Sequence, residues 1–265
     1  MLVQFPRVLE LSGDQGNVDE NEIMKLGHSL WFLLFLLAAE PALAQEMLVF
    51  TTADGYPYYT PEKTGFLDAV LQEVMGRIGI GFKVVTLPAE RALINANAGI
   101  DDGVTNRIAG LEKFYPNLIP VPEVISNRKF AAFAKEVKFP TTGWKSLKPY
   151  SVGIITGWKI FEHNVTEAAQ ITKVKNVTQL FNLLVNGRTH VALYETWQGL
   201  SHLRRNKISG VTVLQPPLAE KDEFLYLHKK HRNLVPKITA SLRAVKADGT
   251  YQRLVDKLLT PLAAE

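Results

Sequence analysis

From residue 47 onward the apolar positions switch between two periods, and the switching predicts strands and helices in turn. Met47-Leu-Val-Phe-Thr-Thr52 is a short apolar run suited to a buried strand. A turn-rich stretch follows, Ala53-Asp-Gly-Tyr-Pro-Tyr-Tyr-Thr-Pro61. Leu67, Val70, Leu71, Val74 and Ile78 then fall on one helical face, and Gly79 and Gly81 end that helix. Phe82–Thr86 reads as a second strand, Pro88 opens a helix that runs to about Asn97, and Gly99 ends it before a third strand over Ile100–Asn106. The middle of the chain repeats the theme. Ser151–Ile155 is a strand, Gly157 a turn before a helix, and Val177, Leu180, Phe181 and Leu184 mark a helix closed by Gly187. Thr189–Tyr194 is another strand, with Trp197, Leu200 and Leu203 striping the helix behind it. The C-terminal part returns to a strand, Glu223–His228, and then two helical patterns. Strand-helix-strand units at this spacing imply parallel α/β organisation. Two such halves, divided near Lys138-Phe-Pro-Thr-Thr-Gly143, imply two lobes with a cleft at the carboxyl ends of the strands.

The N-terminal pattern is different. Met24-Lys-Leu-Gly-His is followed by the apolar run Leu30–Ala39, then Glu40-Pro41 and Ala42-Leu-Ala44. A basic start, a short apolar core and a small-x-small end have the form of a secretory signal peptide over 24–44. The run is too short to span a bilayer, which takes about 20 apolar residues. Residues 1–23 then read as an extension ahead of that signal. Segment 45–265 carries 28 basic and 20 acidic residues, a net charge of +8. The basic residues are scattered without the interleaved aromatics of a nucleic-acid platform, so the expectation is a solvated basic surface and no nucleic-acid partner.

The chain has no cysteine, which removes disulfides, thiolate metal sites, cysteine nucleophiles and a lipid-bearing N-terminal cysteine. The six histidines are dispersed without metal-ligand spacing, and His228 and His231, beside Lys229-Lys230, read as a solvated strand end. No phosphate-binding glycine motif and no nucleophile elbow is present. Asp101-Asp102 is not a carboxylate dyad on this reading, because adjacent strand residues face opposite ways. Catalytic residues, metals and cofactors are therefore all expected to be none.

In order, these features resemble the type II periplasmic solute-binding proteins, the bacterial extracellular solute-binding family 3 that serves amino-acid ABC importers. The resemblance covers 46–262. Tyr56-Pro-Tyr-Tyr59 resembles the family's Pro-aromatic ligand loop, Gly65-Phe-Leu-Asp68 its helix start, and Gly99-Ile-Asp-Asp102 its Gly-x-x-Asp. Lys145–Gly157 resembles the opening of the second lobe, and Asn186–Glu195 the Gly-Arg-x-Asp strand that ends in an acid. Phe224–Lys230 and Leu234–Leu259 resemble the return strand and closing helices. What the resemblance implies is an α/β, two-lobed periplasmic binding protein type II fold, with two mixed sheets flanked by helices and an interlobe cleft. It places 46–134 plus 222–265 in the first lobe and 135–221 in the second. The function implied is capture of a small polar solute, an amino acid or related carboxylate, by hinge closure, by a monomer in the periplasm that serves a membrane ABC permease. Two alternatives stay open: a dehydratase-like enzyme on the same fold, or a ligand-sensing partner of a membrane signalling protein.

The same resemblance nominates ligand groups. Arg107, with Asn106 before it, stands at a strand end, where a guanidinium would hold a carboxylate bidentately or else pair with Asp101 or Asp102. The family's Thr-x-x-Arg is replaced here by Gly110-Leu-Glu-Lys113, so Arg107 would take over that duty or the ligand would lack the carboxylate. Arg91 and Glu90 sit on the first turn of a helix aimed at the cleft. Tyr58, and secondarily Tyr56, would pack over the ligand. Trp158 and Lys159 follow Gly157 at a helix start where backbone N–H groups can meet an anion. Glu195 would face a ligand ammonium or serve the N-terminus of the helix after it.

Overall fold

The computed structural model describes residues 47–263. The signal-peptide segment 24–44 and the extension 1–23 lie outside the described residues. Ten strands form one hydrogen-bonded sheet with the path β2-β1-β3-β10-β5-β8-β6-β7. In the first half, β1 (Leu48–Thr52) pairs in parallel with β2 (Phe82–Thr86) and with β3 (Gly103–Ile108). In the second half, β6 (Ser151–Ile155) pairs in parallel with β7 (Gln170–Val174) and β8 (Val191–Glu195). Two long strands join the halves, β5 (Ser126–Ala134) and β10 (Ala219–His228), antiparallel to each other over Ser126–Phe130 and Ala219–Glu223. On its other edges β10 runs antiparallel to β3 and to the short β4 (Leu118–Pro120), and β5 runs antiparallel to β8. The remaining strand, β9 (Thr212–Val213), lies on β5.

Two sheets are expected from the sequence, and the β5–β10 ladder fuses them into one. Ile108, at the end of β3, faces Glu223, and Glu195, at the end of β8, faces Phe130. The carboxyl ends of both parallel sets therefore converge on the middle of the two joining strands.

Helices cover the faces. In the first half α1 (Phe66–Arg77) buries Leu67, Val70, Leu71 and Val74, the stripe read from the sequence, against α6 (Val235–Ala247) and α7 (Thr250–Leu258). The shorter α2 (Ala89–Ala98) buries Ala92 and Ala96 beside Val104 and Tyr226. In the second half α3 (Lys159–Asn164), α4 (Val177–Val185) and α5 (Thr196–Arg205) pack over Phe130, Phe133, Ile154 and Leu193. No described helix is long and apolar enough to cross a membrane.

The third strand starts at Gly103 rather than Ile100. Gly99 takes a left-handed cap, and the chain turns through Ile100–Asp102 before pairing. There the Asp102 carboxylate accepts the backbone N–H of Val49 at 2.8 Å, His231 Nε2 lies 2.6 Å away and Lys230 Nζ 2.7 Å. His231 is thus not part of a solvated strand end but is mostly buried against Asp102. The same pairs leave Arg107 without Asp102 as a partner.

Candidate functional site

The loop after β1 carries Asp54, Tyr56 and Tyr58 into the space between the halves. Its shape is held by α1, whose first N–H groups, from Phe66 and Leu67, donate to the carbonyls of Pro57 and Tyr58 at 2.9 Å. Asp68 Oδ2 accepts the N–H groups of Thr60 and Gly65, which closes the loop at its other end. A Cβ at Gly65 would collide with the Tyr58 and Pro57 carbonyls, so only glycine allows this approach. Gly65→Ala is expected to cost about 1–3 kcal/mol, because the obstacle is backbone and cannot rotate away. Urea unfolding checks this, and an unchanged midpoint would show that the loop is not held by this contact.

At the floor of the space lies a buried charge cluster built on the joining strands. Arg128 of β5 reaches Asp54 with Nη2 at 2.5 Å and Nη1 at 3.3 Å. Its Nε sits 2.8 Å from Glu223 Oε1 of β10, too far off the N–H direction for a hydrogen bond, while its Nη2 donates to Glu223 Oε2 at 3.3 Å. Ser126 donates to the same carboxylate at 2.9 Å. Asp54 also accepts from Asn106 Nδ2 and, at 3.1 Å, from Gln198 Nε2 of α5. Burial works against the Arg128 charge, yet Asp54 and Glu223 outweigh it and hold its pKa above the ordinary arginine value. Glu223 is pushed up to about 7, chiefly by burial; Arg128 opposes that rise and Asp54 adds to it.

Beside this cluster, Tyr58 OH donates to Glu195 Oε1 at 3.0 Å, a bond from the first half to the second. Glu195 is the N-cap of α5 and accepts the N–H groups of Trp197 at 3.2 Å and Gln198 at 2.7 Å. Burial raises its pKa, while Arg128 and these three hydrogen bonds hold it down.

Above the floor is a cavity of about 370 Å³. The first half contributes Asp54 and Tyr56. The second contributes Trp158, Tyr194 and the Gln198, His202 and Arg205 face of α5. The Arg205 guanidinium lies 3.7 Å over the Tyr56 ring, and Trp158 and Tyr194 have centroids 4.7 Å apart. His202 stacks on Phe181, and burial followed by the Arg205 charge lowers its pKa, which favours the neutral ring. A larger hollow of about 590 Å³ lies between the C-terminal end of α5, the 207–212 segment and Leu262–Ala263, away from the converging strand ends.

The sequence-nominated residues divide into four groups. Tyr56 and Trp158 line the cavity. Asn106, Tyr58 and Glu195 lie in the buried frame around it, each already hydrogen-bonded. Arg107 is mostly buried nearby, its charge opposed by burial and favoured by Asp54 and Glu223; its Nε and Nη2 have no hydrogen-bond partner among the described residues. The remaining three are not brought to the cavity. Glu90 is exposed and accepts from Tyr115 OH at 2.9 Å, Arg91 is exposed, and Lys159 pairs with Glu162 at 2.8 Å in solvent. Asp54, Arg128, Gln198, His202, Arg205 and Glu223 were not nominated. Gln198, His202 and Arg205 recur at helical spacing opposite Leu200 and Leu203, a polar stripe that the sequence does display.

Two parallel sets, joined by two antiparallel crossovers with their carboxyl ends facing one cavity, form an arrangement shared with solved structures. The ligand-binding core of GluR0 in complex with L-glutamate superposes with a TM-score of 0.67 at 12% identity, covering 82% of this chain and 99% of that one. The fold is that of the two-lobed periplasmic binding proteins. A substrate-binding protein of an amino acid ABC transporter matches this binding-protein fold with a TM-score of 0.60 at 18% identity, over 80% of this chain and 98% of its own. A histidine kinase sensor domain similar to periplasmic binding proteins gives 0.63 at 14%, over 82% and 97%. By sequence, an uncharacterized protein of Shewanella oneidensis MR-1 is 22% identical over 197 residues, which is 70% of this chain and 73% of that protein. No family model matches the sequence.

Proposed function

We propose that this chain is a solute receptor that closes its two lobes on a small polar molecule, an amino acid or related carboxylate, without chemistry of its own. The supporting observation is the cavity itself, whose walls come from both sides of the β5–β10 crossover and are bridged by Tyr58–Glu195 and Asp54–Gln198. A ligand that contacts both walls favours the closed arrangement by its differential affinity, with the paired joining strands as the hinge. On this reading the lobes are 46–134 with 222–265, and 135–221, and the boundaries fall at the end of β5 and inside β10. Export directed by 24–44 would place the receptor in the periplasm as a monomer, where it delivers its ligand to an ABC permease. The likeness to a histidine kinase sensor domain supports a second reading, in which the same closure is reported to a membrane signalling partner.

A thermal-shift screen of the purified protein, unfolded and refolded to strip ligand, tests the receptor reading. A ligand at 100 times its dissociation constant is expected to add about 2.7 kcal/mol of stability. A flat response across amino acids, organic acids, sugars and polyamines would remove it. With a ligand in hand, ligand-dependent capture of a permease or of a sensor separates the two roles.

A further inference from the structure

A ligand ammonium is held most strongly by a carboxylate with acceptor capacity to spare, and among the described residues that frame the cleft none is open. A carboxylate has about four lone-pair sites. Asp54, the acid in the cavity wall, receives four donors: Arg128 Nη1 and Gln198 Nε2 on Oδ1, Arg128 Nη2 and Asn106 Nδ2 on Oδ2. Glu195 is fully buried behind Tyr58 and the start of α5, and Glu223 is buried behind Arg128 and Ser126. Neither Glu195 nor Glu223 lines the cavity.

Positive charge, by contrast, is available. Arg205 forms no ion pair among the described residues; its guanidinium carbon lies 3.7 Å over the Tyr56 ring, and its N–H groups make no hydrogen bond to a described residue, which leaves them for a ligand. Gln198 adds a neutral acceptor. Its Nε2 is committed to Asp54, which fixes the amide orientation, and its buried Oε1 has no partner among the described residues. Tyr56, Trp158 and Tyr194 give the cavity aromatic walls.

We propose that the cavity selects a small organic acid that carries a ring and lacks an ammonium group, its carboxylate on Arg205 and its ring against Trp158 and Tyr194. A hydroxyl or amide N–H on such a ligand would meet Gln198 Oε1. The assignment rests on the receptor reading and narrows its ligand class. An α-amino acid would bring a cation beside Arg205, with every nearby carboxylate occupied and only the neutral Gln198 Oε1 to accept from it, so the amino group is disfavoured.

The test is titration calorimetry of the refolded full chain at neutral pH with matched probes: 3-phenylpropionate, L-phenylalanine, phenethylamine and succinate. The expected order puts 3-phenylpropionate at least tenfold tighter than phenylalanine and tighter than succinate, with no binding of the amine. Arg205→Gln is expected to weaken 3-phenylpropionate at least tenfold while the unliganded unfolding midpoint shifts little, since Arg205 is exposed and forms no ion pair among the described residues. Phenylalanine or the amine binding as tightly as the acid would overturn the ligand class and leave the receptor reading intact, as would succinate binding more tightly than the ring acid. An Arg205→Gln protein with unchanged affinity would overturn the carboxylate site. Silence from these probes and from the broad thermal-shift panel would remove the receptor reading, and this inference with it.

Discussion

Arg128→Met is expected to lower the stability of the protein by about 3–5 kcal/mol at neutral pH, because it strands charge in the interior. The Arg128 side chain is 10% exposed, and its two carboxylate partners are 12% and 6% exposed. With the guanidinium gone, Asp54 and Glu223 would face each other with only Arg107 nearby as a cation, and Asp54 would keep only the amide donors of Asn106 and Gln198. Methionine fills much of the volume, so the loss reads the charge and not a cavity. For a chain of this size the melting temperature should fall by roughly 6–20 °C. Arg128→Lys, which keeps a charge but loses the fork that reaches both acids, should fall between the two. Urea and thermal unfolding measure this series. A methionine variant within about 1 kcal/mol of the parent would mean that the ion cluster contributes nothing net, as some buried clusters do.

The second large effect concerns pH. Glu223 in the folded protein titrates near 7, against 4.5 for an ordinary glutamate. Between those values the folded state keeps a proton that the unfolded chain has released, so the folded state binds more protons. Stability from this group is therefore greatest below about pH 4.5 and declines as pH rises to about 7, by a total of about 3 kcal/mol. Burial shifts Glu195 in the same direction. Acids with depressed values, such as Asp102 and Glu123, act oppositely, and their contribution is lost below the ordinary carboxylate range. Comparing parent and Glu223→Gln by urea unfolding from pH 5 to 8 isolates the effect. The variant should show a flatter dependence over pH 5–7, and parallel curves would place Glu223 in its charged form throughout.

Much of this architecture is legible in the chain because it rests on local periodicity. The α1 stripe from Leu67 to Val74, the β1 and β6 runs and the glycine stops all report burial through near neighbours. The joining strand β5 does not, since Asn127, Arg128 and Lys129 interrupt its apolar pattern and small alanines complete it. Arg128 looks like a surface cation in the sequence; its burial depends on Asp54 and Glu223, which lie far away along the chain and are brought in only by the sheet. Glu195 illustrates a different limit. A carboxylate at a strand end can face a ligand or cap the next helix, and the two N–H groups of α5 together with Tyr58 OH show that capping engages it here. Trp158 and Tyr56 were nominated by the family resemblance, and both line the cavity. The stripe of Gln198, His202 and Arg205 was written plainly but was overshadowed by the apolar stripe on the same helix.

The position of β10 also orders events in time. The first half cannot complete its sheet from its own N-terminal residues, because β3 waits for a partner that includes Glu223 and Phe224, made only after the whole second half. Closing so long a loop is slow relative to the local pairings of β6, β7 and β8. The second half is therefore expected to fold first, and arrival of β10 completes the first.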